Sequence, residues 1–236
     1  MDKIIIDKLP ELDYDMTEAM RSLRTNLFFC GDDIKAVVFT SAEPNEGKST
    51  TTMNLARALA EAGKKVVLLD CDLRRSVLVG YYGMHLEKGG KIYGMSHYLT
   101  GQKTLDQVIY ETSAEGVDIV TSGPTVPNPT ELLSNHYFDE MMSKLRMKYD
   151  MILLDGSPLG LVIDSAVIAP KCDGAIIVIE QGKVSRKFAN NVRKQLENSG
   201  VRILGVVLNK VKKNTSGYYK KYYKGEYNYY SKDISE

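Results

Sequence analysis

The sequence has no tryptophan, three cysteines and no long apolar run among its 236 residues. The cysteines (Cys30, Cys71 and Cys172) are scattered without a Cys-x-x-Cys pair, which argues against a disulfide framework or a zinc site. No apolar run approaches the ~20 residues of a membrane span, and the charged N-terminus is too short for a signal peptide. We therefore expect a cytoplasmic protein that contacts a membrane only through a partner.

The charge balance is nearly even, with 31 basic and 30 acidic residues and a net charge of +1. Bulk electrostatic attraction to nucleic acid is therefore not expected, and we predict no nucleic-acid partner. The length is sufficient for one sizeable α/β domain.

Short runs of Val, Ile and Leu without polar alternation are separated by helical patterns, which is typical of strands buried on both faces of a parallel sheet. The pattern predicts an α/β fold with a mostly parallel central sheet and helices on both faces, and the phosphate-binding loop described next makes this fold the P-loop NTPase type. The predicted strands are 36–41, 65–70, 117–121, 151–155, 175–180 and 204–209, and the predicted helices are 48–62, 131–148, 164–170 and 185–199.

A phosphate-binding loop follows the first of these predicted strands. Residues 42–49 approximate the pattern GxxxxGK[ST], and a helical pattern begins directly after them. Such a loop points its backbone N–H groups at an anion, and the helix N-terminus adds positive potential. Lys48 would reach the β- and γ-phosphates, and the Ser49 hydroxyl would ligate Mg²⁺. The predicted nucleotide-binding residues here are Ala42, Glu43, Pro44, Asn45, Glu46, Gly47, Lys48, Ser49 and Thr50.

Two positions of this loop are unusual. Ala42 stands where the pattern has glycine, which is tolerable if its φ is negative. Asn45 is the second, and because asparagine tolerates left-handed φ better than most residues, we expect the loop shape to survive.

Three aspartates follow predicted strands at their carboxyl ends, where ligands bind in parallel sheets. Asp155 fits the role of holding Mg²⁺ directly or through water, and Asp72 is a second metal-organising candidate. Asp70 is the candidate base for an incoming hydroxyl. For any one of them alone, a helix N-cap or loop role is the competing interpretation.

Other polar residues near these positions are weaker candidates. Arg74 and Arg75 would touch phosphate or a neighbouring subunit, or form a solvated basic pair. The Asn209 amide could hydrogen-bond a purine edge, since it offers both a donor and an acceptor.

Two segments flank the predicted core of residues 31–211. Residues 1–30 contain an amphipathic helical pattern over 11–29, in which Glu18, Arg21 and Arg24 share one side. That side is a subunit interface or a solvated charged face. Residues 212–236 have almost no aliphatic residues, so we expect a flexible tail that is either a substrate or a self-association segment. Seven of the 15 tyrosines lie there: Tyr218, Tyr219, Tyr222, Tyr223, Tyr227, Tyr229 and Tyr230.

Taken together, these motifs make the chain resemble the bacterial tyrosine kinases, in the stand-alone form found in Gram-positive capsule and exopolysaccharide systems. Residues 41–49 resemble the Walker A motif of that family, the segment Leu-Leu-Asp-Cys-Asp-Leu-Arg its Walker A′ motif, and Ile-Leu-Leu-Asp-Gly-Ser-Pro its Walker B motif. Glu18, Arg21 and Arg24 resemble the ExxRxxR oligomerisation motif of the family. The tyrosine cluster closes the chain, as it does in the family.

The resemblance implies ATP with Mg²⁺ as cofactor and autophosphorylation of the tail tyrosines in trans. It also implies a homo-oligomer, which would be ring-like, a membrane-anchored activator of the polysaccharide co-polymerase type, a cognate tyrosine phosphatase and a role in polysaccharide synthesis and export. The alternative is a partitioning-type ATPase that acts as a nucleotide-dependent dimerisation switch. Such ATPases usually carry an additional lysine early in the loop, and the sequence has none between Ser41 and Glu46.

Overall fold

A computed structural model describes residues 2–212 of the chain. In chain order, its strands and helices are β1 (Lys3–Ile6), α1 (Tyr14–Phe29), β2 (Ala36–Ser41), α2 (Lys48–Glu61), β3 (Val66–Asp70), α3 (Leu78–Tyr82), β4 (Met84–Leu86), α4 (Met95–Leu99), β5 (Tyr110–Thr112), β6 (Val117–Val120), α5 (Pro129–Ser134), α6 (His136–Lys148), β7 (Met151–Asp155), α7 (Asp164–Ile168), β8 (Gly174–Glu180), α8 (Arg186–Asn198) and β9 (Ile203–Asn209).

The nine strands form one sheet in the order β4-β1-β5-β6-β3-β7-β2-β8-β9. Pairing is parallel from β6 to β9, whereas β1–β4 and β5–β6 pair antiparallel. The predicted α/β architecture with a mostly parallel sheet is therefore confirmed. Because β3, β7 and β2 are neighbours, their carboxyl ends lie side by side.

Helices cover both faces of the sheet, and each face has its own apolar core. One core joins Val38, Leu69 and Leu154 to residues of α6 and α8. The other joins Phe39 and Leu153 to residues of α1 and α2. The central strands β2, β3 and β7 are buried along their whole length, as their uninterrupted apolar sequences predict.

The predicted helix 131–148 is wrong as a single element, because the chain breaks at Asn135. This residue is extended (ψ 167°), and its side chain accepts a hydrogen bond from the amide of Phe138 to cap α6. An asparagine that caps one helix ends the preceding one, so α5 and α6 are separate. The predicted helix 164–170 is likewise α7 followed by a 3₁₀ turn over Ala169–Lys171.

The expectation that the first strand begins at residue 36 is also wrong. β1 precedes α1 and lies inside the sheet, between β4 and β5. The strands β1, β4 and β5 are only three or four residues long, which leaves little pattern in the sequence to detect them.

β9 departs from the expectation of burial on both faces, because Val206 and Leu208 are exposed at the edge of the sheet. None of the helices within the described residues is long and apolar enough to cross a membrane.

Candidate active site

The loop between β2 and α2 adopts the conformation that a phosphate-binding loop needs. Asn45 has φ 63° and Gly47 has φ 86°, whereas Ala42 is not among the described residues with positive φ. Both expectations about the unusual positions are therefore confirmed. A substitution at Gly47 would be strained by its left-handed φ, and a Cβ there would lie 2.0 Å from Nδ2 of Asn209, so it would have to displace that side chain.

The loop also presents an array of unused amide groups. Across residues 2–212, no protein acceptor is bonded to the backbone N–H groups of residues 45–50. Three of these amides open α2, where helix geometry provides no partner. Such an array fits a chain of anionic phosphates.

Lys48 and Asp155 form an ion pair below this loop. Lys48 Nζ lies 2.5 Å from Asp155 Oδ1 and 3.4 Å from Ser49 Oγ, and both charged side chains are buried. Strand pairing places Asp155 beside the loop, because Asp155 of β7 aligns with Phe39 of β2, the strand that leads into the loop. On the other side of β7, Asp155 aligns with Asp70 of β3. Three of the predicted residues, Lys48, Ser49 and Asp155, therefore share one site.

Asp70 lies beside this pair and is itself 1% exposed. Burial, followed by the negative charge of Asp155, raises the pKa of Asp70 to about 7. The Ser76 hydroxyl donates a hydrogen bond to Asp70 Oδ2, which favours the charged form and opposes part of that rise. A carboxyl group with a pKa near 7 can accept a proton at neutral pH.

Asp72 has a different environment from the other two aspartates. Its Oδ1 accepts hydrogen bonds from the backbone amides of Arg74 (3.3 Å) and Arg75 (3.0 Å), so it stabilises the turn after β3. Its own amide lies 3.3 Å from Asp70 Oδ1, which keeps Asp72 next to the site.

Arg74 reaches a buried carboxylate that the sequence analysis did not single out. Its guanidinium binds Asp164 through Nε (2.6 Å) and Nη2 (3.1 Å), and Thr130 donates to the same carboxylate at 2.6 Å. Arg74 thereby ties the turn after β3 to the start of α7. Arg75 makes no comparable contact among the residues described.

The predicted magnesium ligands do not form a cluster of three acidic side chains. Within residues 2–212, no three His, Cys, Asp or Glu side chains converge as a metal cluster. Mg²⁺ usually takes one or two carboxylates and completes its shell with phosphate and water. Ser49, Asp72 and Asp155 remain the predicted ligands, and a bound Mg²⁺ would neutralise phosphate charge.

Glu46 and Asn209 make hydrogen bonds that hold the loop in place. The buried Glu46 carboxylate accepts the amides of Glu43 (2.7 Å) and Glu180 (3.0 Å), so this side chain faces the protein. Asn209 Nδ2 donates to the Glu46 carbonyl at 2.9 Å. This contact uses one N–H of the Asn209 amide, which leaves its second N–H and its carbonyl oxygen for the predicted purine contact.

Two predicted features lie away from this site. Glu18 and Arg21 pair with each other on the exposed side of α1 (2.7 Å), whereas Arg24 donates to the Ala58 carbonyl of α2 at 2.7 Å. The seven tail tyrosines, at positions 218–230, lie outside the described residues.

The fold and this loop define a P-loop nucleoside triphosphatase-type domain. A family model described as an AAA domain matches residues 35–199. The chain is 39% identical over 215 residues to "Tyrosine-protein kinase CpsD" of Streptococcus agalactiae, covering 91% of this chain and 90% of that protein. It is 35% identical to "Tyrosine-protein kinase YwqD" of Bacillus subtilis, covering 86% of each. The chain therefore belongs to the bacterial tyrosine kinase family.

The similar solved structures include a tyrosine kinase domain and a nucleotide-bound protein of another kind. The kinase domain of the Escherichia coli tyrosine kinase ETK superposes with a TM-score of 0.78 at 31% identity, covering 86% of this chain and 78% of that one. The septum site-determining protein MinD from Pyrococcus horikoshii, solved with Mg-ADP, has a TM-score of 0.64 at 28% identity. The match covers 77% of this chain and 72% of that one.

Proposed function

We propose that this protein binds ATP with Mg²⁺ and transfers the γ-phosphoryl group to tyrosine hydroxyls of its own C-terminal cluster. The observation that carries the proposal is the grouping of Lys48, Asp155 and Asp70 beneath the unused loop amides. The loop amides and Lys48 would hold the β- and γ-phosphates. Ser49, Asp72 and Asp155 would hold Mg²⁺.

In the proposed reaction, the bond between the γ-phosphorus and the β–γ bridging oxygen breaks, and a bond to the tyrosine oxygen forms. The tyrosine proton passes to the Asp70 carboxylate, and ADP leaves. A tyrosine hydroxyl has a pKa near 10, so it needs a positioned base at neutral pH. Asp70 is suited to that role because its pKa of about 7 lies near the working pH.

The tail supplies the acceptors. A tethered segment raises the local concentration of its tyrosines at a nearby site to about millimolar. We propose that it enters the site of a neighbouring subunit, within an oligomer built through Glu18, Arg21 and Arg24. We further propose that a membrane-anchored activator recruits and stimulates the kinase, that a cognate phosphatase reverses the modification, and that the cycle regulates polysaccharide synthesis and export.

The test is mass spectrometry of the C-terminal peptide after incubation with ATP, Mg²⁺ and the cytoplasmic segment of the activator. Phosphotyrosine at residues 218–230 in the wild type, and none in Lys48→Met, is the expected result. Lys64→Met removes an exposed lysine just beyond α2 and should behave as wild type. Phosphotyrosine persisting in Lys48→Met would contradict the proposal.

Transfer between subunits requires a separate mixing experiment. A donor whose seven tail tyrosines are replaced by phenylalanine is combined with Lys48→Met, which keeps a native tail. Phosphate on the Lys48→Met protein is expected for transfer in trans. Its absence, with normal modification of the wild type, would restrict transfer to a single chain.

A nucleotide-switch ATPase is the second candidate, and the likeness to MinD with Mg-ADP favours it. The same incubation separates the two functions. Release of inorganic phosphate without modification of the tail would support the switch. The lack of an early loop lysine and the tyrosine cluster support the kinase.

A further inference from the structure

Three consecutive carbonyl groups of the phosphate-binding loop each accept a hydrogen bond from a side chain at the ends of β8 and β9. Lys183 Nζ donates to Pro44 O at 2.6 Å, and Lys210 Nζ donates to Asn45 O at 2.6 Å. Asn209 Nδ2 donates to Glu46 O at 2.9 Å. We call Lys183, Asn209 and Lys210 the loop clamp.

The clamp controls the direction of the amide groups that follow these carbonyls. In a trans peptide, the C=O and N–H groups point to opposite sides of the chain, and no cis bond occurs in the described residues. Turning the carbonyls of residues 44–46 toward the clamp therefore turns the amides of residues 45–47 toward the other side. Those amides belong to the unused array described above.

The clamp is itself braced by a second layer of contacts. The Glu180 carboxylate lies 3.0 Å from Lys210 Nζ and 3.8 Å from Lys183 Nζ. The Glu180 amide donates to the buried Glu46 carboxylate, which joins the end of β8 to the inside of the loop. Lys210 also holds a left-handed backbone conformation (φ 52°), which is uncommon for a non-glycine residue. Such a conformation persists only where the surroundings enforce it.

We infer that Lys183 and Lys210 are positioning residues that hold the loop amides in their phosphate-binding orientation before a nucleotide arrives. Their ammonium groups bind the outer carbonyls of the loop rather than the phosphates. The ligand is a nucleoside diphosphate or triphosphate, and the inference rests on the proposed nucleotide function. Preorganisation of this kind lowers the ordering cost of binding.

The competing explanation is long-range charge, because two lysines near a phosphate site attract anions without fixing any backbone group. Salt separates the two, since exposed charges are screened over about 8 Å at 0.15 M and about 3 Å at 1 M ionic strength. A hydrogen bond that sets loop geometry depends much less on salt.

The experiment is calorimetric titration of the full-length protein with Mg-ADP at 0.1 and 0.5 M NaCl. We expect Lys183→Met combined with Lys210→Met to weaken Mg-ADP binding about tenfold at both salt concentrations, and each single variant to weaken it by a smaller factor. Lys183→Arg keeps a donor and should restore most of the affinity lost in Lys183→Met. The matched control is Lys187→Met, since this exposed lysine in the first turn of α8 has no described contact with the loop and carries the same charge.

The thermal midpoint of the nucleotide-free double variant should stay within about 2 °C of the wild type, because the clamp lysines are partly exposed. Equal Mg-ADP affinity of the wild type and the double variant would overturn the positioning role of the clamp but not the proposed nucleotide function. A loss of Mg-ADP affinity that disappears at 0.5 M NaCl, or that Lys187→Met reproduces, would also overturn the positioning role and would support long-range electrostatic attraction instead. If the wild type itself binds no Mg-ADP, the proposed nucleotide function fails and the clamp role fails with it.

Discussion

At the scale of single residues, Asp70 shows how the environment proposed for a catalytic base lowers the stability of the folded protein. The side chain is enclosed beside a second carboxylate, so its charged form is unfavourable in the folded protein. The unfolded chain has no such restriction, and its Asp70 titrates near 3.8. The raised pKa that suits Asp70 to the proposed role of a base near neutral pH therefore lowers stability as the pH rises from 3.8 to about 7.

Replacing Asp70 with asparagine should stabilise the nucleotide-free protein while abolishing phosphoryl transfer. Between pH 3.8 and about 7, the unfolded state releases the proton before the folded state does, so wild-type stability falls as pH rises. The full shift corresponds to roughly 4 kcal/mol above pH 7. Asp70→Asn removes this penalty and keeps an acceptor for Ser76. Thermal unfolding at pH 4 and pH 8, without Mg²⁺, measures the difference.

The stabilisation by Asp70→Asn should be largest at pH 8. It should shrink toward pH 4, where Asp70 is protonated in the folded protein and only about half ionised in the unfolded chain. Asp32→Asn, in an exposed loop before β2, provides the control and should show no such trend. A variant that is less stable than the wild type at pH 8 would contradict the assigned environment of Asp70.

At the scale of secondary-structure elements, α1 is attached to the domain by one face and exposes the other. Arg24 binds the Ala58 carbonyl of α2, whereas Glu18 and Arg21 form an exposed pair on the same helix. Tyr14 and Phe29, near its two ends, are 67% and 83% exposed. The helix thus presents charged and apolar groups outward, which suits a subunit contact.

Reversing the charge at Glu18 tests whether this face is an interface. Glu18→Arg places two arginines beside each other, so it should repel an arginine of the adjoining subunit and lower the assembly mass in light scattering. Glu197→Arg is the matched control, because Glu197 pairs with Arg193 on α8 at similar exposure. Unchanged mass for Glu18→Arg, or equal dissociation by Glu197→Arg, would argue for a solvated face.

The sequence predicts the central elements well because buried parallel strands carry a strong apolar signal. Strands β2 and β7 have the predicted bounds, and β3 and β9 differ by one residue. Short strands such as β4 gain stability only from their neighbours in the sheet, so their own sequence carries no such signal. The break at Asn135 was missed because helical periodicity continues across it.

The site residues likewise include some that the sequence predicts and some that it does not. Lys48 and Asp155 were predictable because the loop motif and the strand ends determine where they lie. The contacts of Lys183 and Lys210 with the loop join residues 139 and 165 positions apart. The pairing of β2 with β8 and of β8 with β9 brings them together, and no local pattern encodes it.

At the scale of the whole molecule, the tail that we propose supplies the acceptors is attached close to the phosphate-binding loop. The Lys212 amide donates to Gln181 at 2.8 Å, two residues beyond the clamp residue Lys210. Tyr218 is six residues further on, at most about 20 Å along an extended chain. The attachment point therefore lies near the edge of the sheet that binds nucleotide, so a change in tail charge acts close to the site.

Phosphorylation of the tail should loosen the oligomer. Residues 211–236 contain six lysines and three acidic residues, and seven phosphates would add about 10 to 14 negative charges. Tails from neighbouring subunits would then repel one another. In sedimentation velocity, the phosphorylated wild type should form smaller species than the variant with seven tail phenylalanines. Phosphatase treatment should restore the larger species, and raising the salt concentration should weaken the effect. Identical sedimentation of the two proteins would show that assembly does not depend on the phosphorylation state of the tail.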